Sequence, residues 1–139
     1  MNICFATDSR LLKDKVFKQI NENMRVSIPA EYIDILVIEK KSCASDFFSR
    51  RVGTCIFNGE DFSIIHNFKN LENAVSCGMS SFDTVTLSSI KDTSSLVSVR
   101  RTIDMNGKII SPCEFFAEYD NAMSIFQNIA VSLISYIIS

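Results

Sequence analysis

The apolar and polar positions along the chain predict a strand-helix-strand opening. Residues 2–6 form a short apolar run, and residues 33–38 form a nearly continuous aliphatic and β-branched run. Unbroken runs of this kind are typical of parallel strands that are covered on both faces. Between them Leu12, Val16 and Ile20 recur every four residues on one stripe, which predicts an amphipathic helix ending soon after Ile20.

A strand, a turn and a second strand are predicted for residues 73–90, the stretch around which the chain is organised. The first apolar segment ends at Gly78, serines follow, and strict apolar-polar alternation resumes over residues 84–88. Because glycine has no Cβ, Gly78 can take a positive φ or pass close to another backbone or a ligand.

The last third of the chain has an antiparallel pattern. Strands are predicted over residues 95–105 and 108–119, and they are joined by Asn106 and Gly107. That dipeptide favours a type I′ hairpin turn, which needs a positive φ at both central positions. Asp120 is then predicted to cap a closing helix, which is apolar and uncharged.

The middle of the chain carries shorter signals. A brief extended piece is predicted at residues 25–28, a short helix after Ser45, a short strand at residues 55–57, and a short helix or irregular loop over residues 62–68. Together these elements predict a single α/β domain over residues 1–139. It contains a mostly parallel sheet flanked by helices, then a three-stranded antiparallel segment and the closing helix.

Composition narrows the class of partner. The chain is 47% hydrophobic and 22% charged, which is typical of a globular protein with a real core. Its net charge of −2 provides no positive field, so we expect neither nucleic acid nor an acidic membrane surface as a partner. The uncharged closing helix could be a membrane anchor or a buried helix. Its polar interruptions and the absence of flanking Lys or Arg favour the buried helix.

The cysteines and glycines exclude several kinds of site. The five cysteines include no C-x-x-C pair, which argues against a zinc site or a redox dithiol, and no signal-peptide pattern precedes them. A cytoplasmic protein with free thiols is therefore expected. The four glycines are scattered and form no phosphate-binding loop. Classical ATP hydrolysis and dinucleotide binding are not expected, and no cofactor is predicted.

Few residues are candidates for chemistry. His66 is the only histidine, so any Ser-His or Cys-His pair must use it, although a structural or surface role is the ordinary alternative. Cys77 lies at a predicted strand end, where backbone N–H groups can activate a thiol, but a small buried apolar residue is the alternative. Glu60 and Asp61 follow a predicted strand and are candidates for a divalent metal site, or form an ordinary acidic turn.

The turn after the central strand is the candidate ligand-binding surface. Its members are Gly78, Ser80, Ser81 and Asp83. The first hypothesis is a non-catalytic binding or assembly module that uses this turn for a small molecule or a partner. Self-association is expected through an exposed antiparallel edge or a stripe on the last helix.

Two further hypotheses use other residues. One is a small hydrolase or transferase acting on a cell-wall-type or nucleotide-linked substrate, with Cys77, His66 and the acidic pair as its chemical groups. The other is a receiver-like signalling domain, for which Asp8 and Glu39 are the available acids. The paired Arg100 and Arg101 face opposite sides of a strand, so one is a candidate anion ligand, with ordinary surface ion pairs as the alternative.

Short segments resemble a known family. DILVIEKKS at residues 34–42, CIFNGED at residues 55–61, AVSCGMSS at residues 74–81 and the later Asn121-Ala122 pair are similar, in order and type, to the central domain of the Mur ligases. The resemblance implies a Mur-like α/β fold with a small antiparallel extension. The glycine-rich ATP loop is missing, so the resemblance implies no ATP-dependent ligase activity, and no family catalytic residue carries over.

Overall fold

The computed structural model describes residues 2–18, 25–26, 31–105 and 107–138, with residues 25–26 described as backbone alone. The described strands are β1 (Asn2–Ala6), β2 (Arg25–Val26), β3 (Tyr32–Ile38), β4 (Arg51–Asn58), β5 (Asn70–Cys77), β6 (Val85–Lys91), β7 (Ser94–Val99), β8 (Ile103–Met105), β9 (Lys108–Ile110) and β10 (Cys113–Glu118). The α-helices are α1 (Arg10–Phe17) and α2 (Ile125–Ile138), and short 3-10 helices cover Lys41–Cys43, Ser45–Phe47 and Gly59–Asn67.

Eight of these strands form one sheet, in the order β10-β7-β6-β5-β4-β3-β1-β2. The pairs β2–β1, β1–β3, β3–β4, β4–β5 and β5–β6 are parallel. The pairs β6–β7 and β7–β10 are antiparallel. β8 and β9 form a separate hairpin. The predicted α/β class, with a mostly parallel sheet and an antiparallel segment after it, is confirmed.

Two apolar cores lie on the two faces of the sheet. Ile35 and Val37 of β3 belong to a core that includes the buried side chains of α1 and α2, and the alternate residues Leu36 and Ile38 belong to a core that includes the 3-10 segments. The continuous aliphatic run of β3 therefore arises because both of its faces are covered.

The closing helix α2 is buried around most of its circumference. Ile129, Leu133 and Ile134 are fully buried against the sheet, and even Asn128 and Ser132 are buried. The Lys108 ammonium donates a hydrogen bond to the Ile137 carbonyl at the helix end, where a cation also complements the helix dipole. The prediction of a sheet-packed helix is confirmed, and among the described helices none has the length and apolarity that crossing a bilayer requires.

The predicted cap of this helix is wrong. α2 begins four residues later than expected, and Ser124 provides the cap instead. Its Oγ accepts from the Gln127 N–H at 3.1 Å, while Gln127 Oε1 accepts from the Ser124 N–H at 2.9 Å. This reciprocal pair is a capping box, and its Ser-x-x-Gln signature is present in the sequence. Asp120 instead accepts from the Ala122 N–H and pairs with Lys15.

Other predicted boundaries also moved. The two long antiparallel strands are each divided, into β7 and β8 and into β9 and β10. The predicted strand at residues 55–57 is part of the longer β4. Gly107 has the positive φ (+91°) expected of the β8–β9 turn, but Asn106 lies outside the described residues. The predicted end of the first helix and residues 27–28 of the predicted extended piece also lie outside them, whereas residues 25–26 form β2.

Candidate functional site

The topological switch point of the sheet lies between β1 and β3, where α/β proteins commonly bind ligands. Here the polar groups bind one another. Thr7 Oγ1 donates to Glu39 Oε1 at 2.6 Å, and Lys40 Nζ pairs with Asp8 at 2.7 Å. The hydrogen bond from Lys40 lowers the pKa of Asp8. The two acids of the receiver hypothesis are thus engaged by internal partners, and the described residues contain no cluster of three metal-ligating side chains.

The loop between β5 and β6, residues 78–84, has a different character. Parallel neighbours usually need a helical crossover, but β6 starts beside the end of β5, with Cys77 opposite Val85. The Gly78 N–H donates to the Val85 carbonyl at 3.2 Å, and the Thr84 N–H donates to the Ser76 carbonyl at 3.0 Å. The short loop is therefore fixed at both ends against the carboxyl edge of the sheet.

Asp83 is the buried acid of this loop. Its side chain is only 3% exposed, its Oδ2 accepts from the Ser80 N–H at 2.9 Å, and its N–H donates to the Ser80 carbonyl at 3.1 Å. Oδ1 accepts no hydrogen bond from any residue that the structure describes. A buried carboxylate with one hydrogen bond is expensive, because desolvation penalises its charge.

Two glycines make room for this carboxylate. A methyl group built on Gly78 would lie 2.6 Å from Asp83 Oδ2, and one built on Gly59 would lie still closer to Oδ1. Gly78 does not have a positive φ, since Gly107 is the one glycine with such an angle among the described residues. The close-approach interpretation of Gly78 therefore applies, with the Asp83 side chain as the neighbour.

A pocket of about 420 Å³ opens beside the Asp83 carboxylate. Gly59 and Asp83 line it, together with Phe57 from the end of β4 and two aromatic side chains at its mouth, Phe62 and Phe82. Phe57 is buried, whereas Phe62 is 56% exposed and Phe82 is 80% exposed. Its size, its aromatic walls and the polar side chains among them, which are Ser76, Ser80, Asp83, Thr84 and Arg101, are typical of small-molecule sites.

The predicted ligand-binding residues are partly brought together here. Ser80 and Asp83 line the pocket, Gly78 supports Asp83 from outside the lining, and exposed Ser81 does not line it. Sequence reasoning missed Gly59, Phe62 and Phe82. The only signal for Gly59 was its place directly after a strand.

The paired arginines are both exposed, and neither makes an ion pair with a described residue. The expectation of ordinary surface ion pairs therefore stays a prediction. Arg101 lines the pocket, while Arg100 donates its backbone N–H to the Thr84 carbonyl at 2.8 Å. Of the two arginines, only Arg101 is therefore placed to contact a ligand in the pocket.

The structure does not bring the candidate catalytic residues together. Cys77 is fully buried in the apolar core, and burial raises the pKa of its thiol, with the nearby Asp83 charge adding to the shift. His66 is exposed and packs edge-on against Phe62, with the ring centroids 6.2 Å apart. Glu60 and Asp61 lie in the first turn of the 3-10 helix, and Asn58 Oδ1 accepts from the Glu60 N–H.

Thiol reactivity tests this placement. Cys43 and Cys113 are partly exposed, whereas Cys4, Cys55 and Cys77 are buried. We expect two thiols to react rapidly with Ellman's reagent at pH 8 and all five after denaturation. Raising the pH to about 9.5 should release no third thiol, because burial raises the pKa of Cys55 to about 12. Rapid labelling of Cys77, located by mass spectrometry, would contradict its place in the core and revive a nucleophilic role.

A larger cleft of about 930 Å³ lies between β10 and α2. Two acids line it, Glu118 and Asp120, and Asp120 pairs with Lys15 at 3.2 Å. The buried amide of Asn128 is hydrogen-bonded to backbone N–H and carbonyl groups. The buried amide of this cleft therefore needs no external partner, unlike the carboxylate of Asp83.

No protein-family model, curated protein sequence or solved structure matches this chain.

Proposed function

We propose that this protein is a non-catalytic small-molecule-binding module whose ligand occupies the pocket beside Asp83. The observation that carries the proposal is the Asp83 carboxylate, which is buried, lines the pocket, and has one oxygen without a hydrogen bond from the described residues. A ligand that donates to this oxygen would supply the missing interaction.

The loop itself does not require a charge at residue 83. An asparagine has nearly the same shape, and its Oδ1 would accept the same hydrogen bond from the Ser80 N–H without the cost of burying a carboxylate. Groups that reduce stability in this way concentrate at functional sites. A carboxylate at residue 83 therefore supports binding rather than folding as the role of Asp83.

The aromatic side chains at the mouth support the same proposal. Phe62 and Phe82 are exposed although both line the pocket, and contiguous exposed apolar surface often marks a binding site. A planar ligand would cover their faces, and each ring-to-ring contact contributes about 0.5–1.5 kcal/mol beyond the buried area.

The enzyme hypothesis lacks such an observation. A nucleophile needs a base within hydrogen-bond reach, but the thiol of Cys77 is in the core and His66 is exposed. The pocket lining includes neither of them. A hydrolase or transferase activity on a nucleotide-linked or cell-wall-type substrate is therefore not part of the proposal.

A fragment screen followed by ¹⁵N–¹H NMR tests the proposal. We expect planar fragments with N–H donors to shift the amide signals of residues 80–84 and of the 3-10 helix Gly59–Asn67. Phe82→Ala should weaken their binding by about three- to tenfold, as the loss of one ring contact predicts. Phe116→Ala is the matched control, because Phe116 is 82% exposed but lies on β10, away from this pocket.

Two results would overturn the proposal. One is fragment binding confined to the cleft between β10 and α2. The other is an equal loss of affinity in the Phe82 and Phe116 variants, which would indicate non-specific adhesion to exposed aromatic surface.

The relationship with the Mur ligase central domain is a separate proposal. Parallel strands followed by antiparallel strands and a closing helix support it at the level of architecture. The binding proposal does not depend on it, since the pocket is built from side chains to which the resemblance assigns no role.

A further inference from the structure

Asp83 is the one acid in the pocket lining, beside the hydroxyl groups of Ser76, Ser80 and Thr84 and the guanidinium group of Arg101. An ionised carboxylate has no donor, so a ligand placed against Asp83 must provide N–H or O–H groups. Oδ2 accepts the Ser80 N–H and keeps a second lone pair, and Oδ1 lies against Gly59, which also lines the pocket, so both oxygens can accept from paired donors of a ligand. We infer that the pocket binds the base of a guanine nucleotide, an inference that depends on the binding function proposed above.

Guanine fits because its pairing edge carries two adjacent donors, the ring N1–H and the exocyclic N2 amino group. Adenine and cytosine place an acceptor beside their amino donor, and uracil flanks its single N–H with two carbonyl oxygens. An acceptor brought against a buried carboxylate is repelled and left without a hydrogen bond. Asp83 therefore discriminates by rejection as well as by attraction.

The walls of the pocket fit a flat base. Phe62 and Phe82 present exposed rings at the mouth, and Phe57 supplies buried apolar surface within. Stacking on aromatic side chains is a common way in which proteins hold unpaired bases, and it tolerates any base. The stacking gives affinity, and the carboxylate gives the choice among bases.

Arg101 favours a guanine nucleotide over a positively charged ligand that also has paired donors. A guanidinium or amidinium compound would also satisfy Asp83, but its positive charge would meet a second positive charge at Arg101. That arginine lines the pocket, is exposed, and has no ion pair with a described residue. A phosphate matches the paired N–H groups of an arginine and carries the opposite charge. A nucleotide held by its base, with its phosphate at Arg101, needs no glycine-rich loop, and the sequence has none.

Calorimetric titration with guanosine 5′-monophosphate, guanosine, the adenosine, cytidine and uridine 5′-monophosphates, and benzamidine tests the inference. We expect guanosine 5′-monophosphate to bind at least about tenfold tighter than the other nucleotides, as the loss of a paired donor predicts. Guanosine should bind about fivefold more weakly than its monophosphate, since it lacks the group that pairs with Arg101. Benzamidine should bind more weakly than guanosine.

Two substitutions make the test specific. Asp83→Asn presents an amino group to the ligand, so it should weaken guanosine 5′-monophosphate by about tenfold and favour xanthosine 5′-monophosphate, which has a carbonyl where guanine has the amino group. Arg101→Gln should remove the difference between guanosine and its monophosphate. Arg100→Gln is the matched control and should retain that difference, because Arg100 does not line the pocket.

The inference fails if the four nucleotides bind equally, if benzamidine binds most tightly, or if Asp83→Asn does not exchange the preference between guanine and xanthine. Fragment binding at residues 80–84 without a guanine preference would overturn this inference alone. Fragment binding elsewhere would overturn the proposed function as well.

Discussion

Replacing Gly59 by alanine is expected to destabilise the fold by about 3 kcal/mol, a large effect for the addition of one methyl group. The new Cβ would overlap Asp83 Oδ1. The carboxylate cannot move away easily, because Oδ2 is held by the Ser80 N–H and faces Gly78 on its other side. Urea unfolding followed by circular dichroism measures the loss.

The same clash can be relieved by removing the carboxylate. In an Asp83→Ala background, Gly59→Ala should cost less than about 1 kcal/mol, so the double-mutant cycle should show a coupling energy of about 2 kcal/mol. Ser81→Ala is the loop control, since Ser81 is exposed and should not couple to Gly59. An equal cost of Gly59→Ala in both backgrounds would show that backbone strain, and not the carboxylate, requires glycine.

Local sequence pattern identified only one side of this pocket. Ser80 and Asp83 are close to Gly78 in sequence, so the turn they share was predictable from a break in alternation. Phe62 reaches the pocket from the preceding crossover, and Arg101 reaches it from beyond β7. These side chains come close together because of the strand order and because β6 starts beside the end of β5. The periodicity of apolar residues in the sequence contains neither piece of information.

The divided strands show a similar limit. Single strands were predicted over residues 95–105 and 108–119, but the main sheet uses only part of each, with β7 and β10 in that sheet and β8 and β9 in a separate hairpin. Pro112, just before β10, was the available signal for one of these breaks, because proline donates no ladder hydrogen bond. The capping box at Ser124 was equally readable in the sequence.

The expected self-association remains a proposal, and the charges on the edge strand β10 oppose one form of it. β10 is the terminal strand on the antiparallel side, and it exposes Glu114, Phe116 and Glu118. A symmetric antiparallel pair centred on Phe116 would put Glu114 of each copy opposite Glu118 of the other. Like charges opposite one another oppose pairing, so this edge is protected against its own copy.

Asn128 has the second large expected effect, because its buried side chain bonds the backbone that leads into α2. Its Oδ1 accepts from the Asp120 N–H at 2.8 Å, and its Nδ2 lies within hydrogen-bond distance of the carbonyls of Asp120, Met123 and Ser124. Asn128→Ala should cost about 3 kcal/mol, since it leaves several of these groups without partners and opens a small cavity.

The matched control for this substitution is Gln127→Ala, one position earlier. Gln127 also bonds the start of the helix, through its capping-box contact with the Ser124 N–H, but it is only half-buried and should cost about 1 kcal/mol. Asn128→Asp should destabilise at least as much as Asn128→Ala, because its carboxylate would face three carbonyl oxygens. Urea unfolding of the three variants gives the order. If Asn128→Ala were no worse than Gln127→Ala, the helix entry would be held by apolar packing of α2 on the sheet, and the amide network would contribute little.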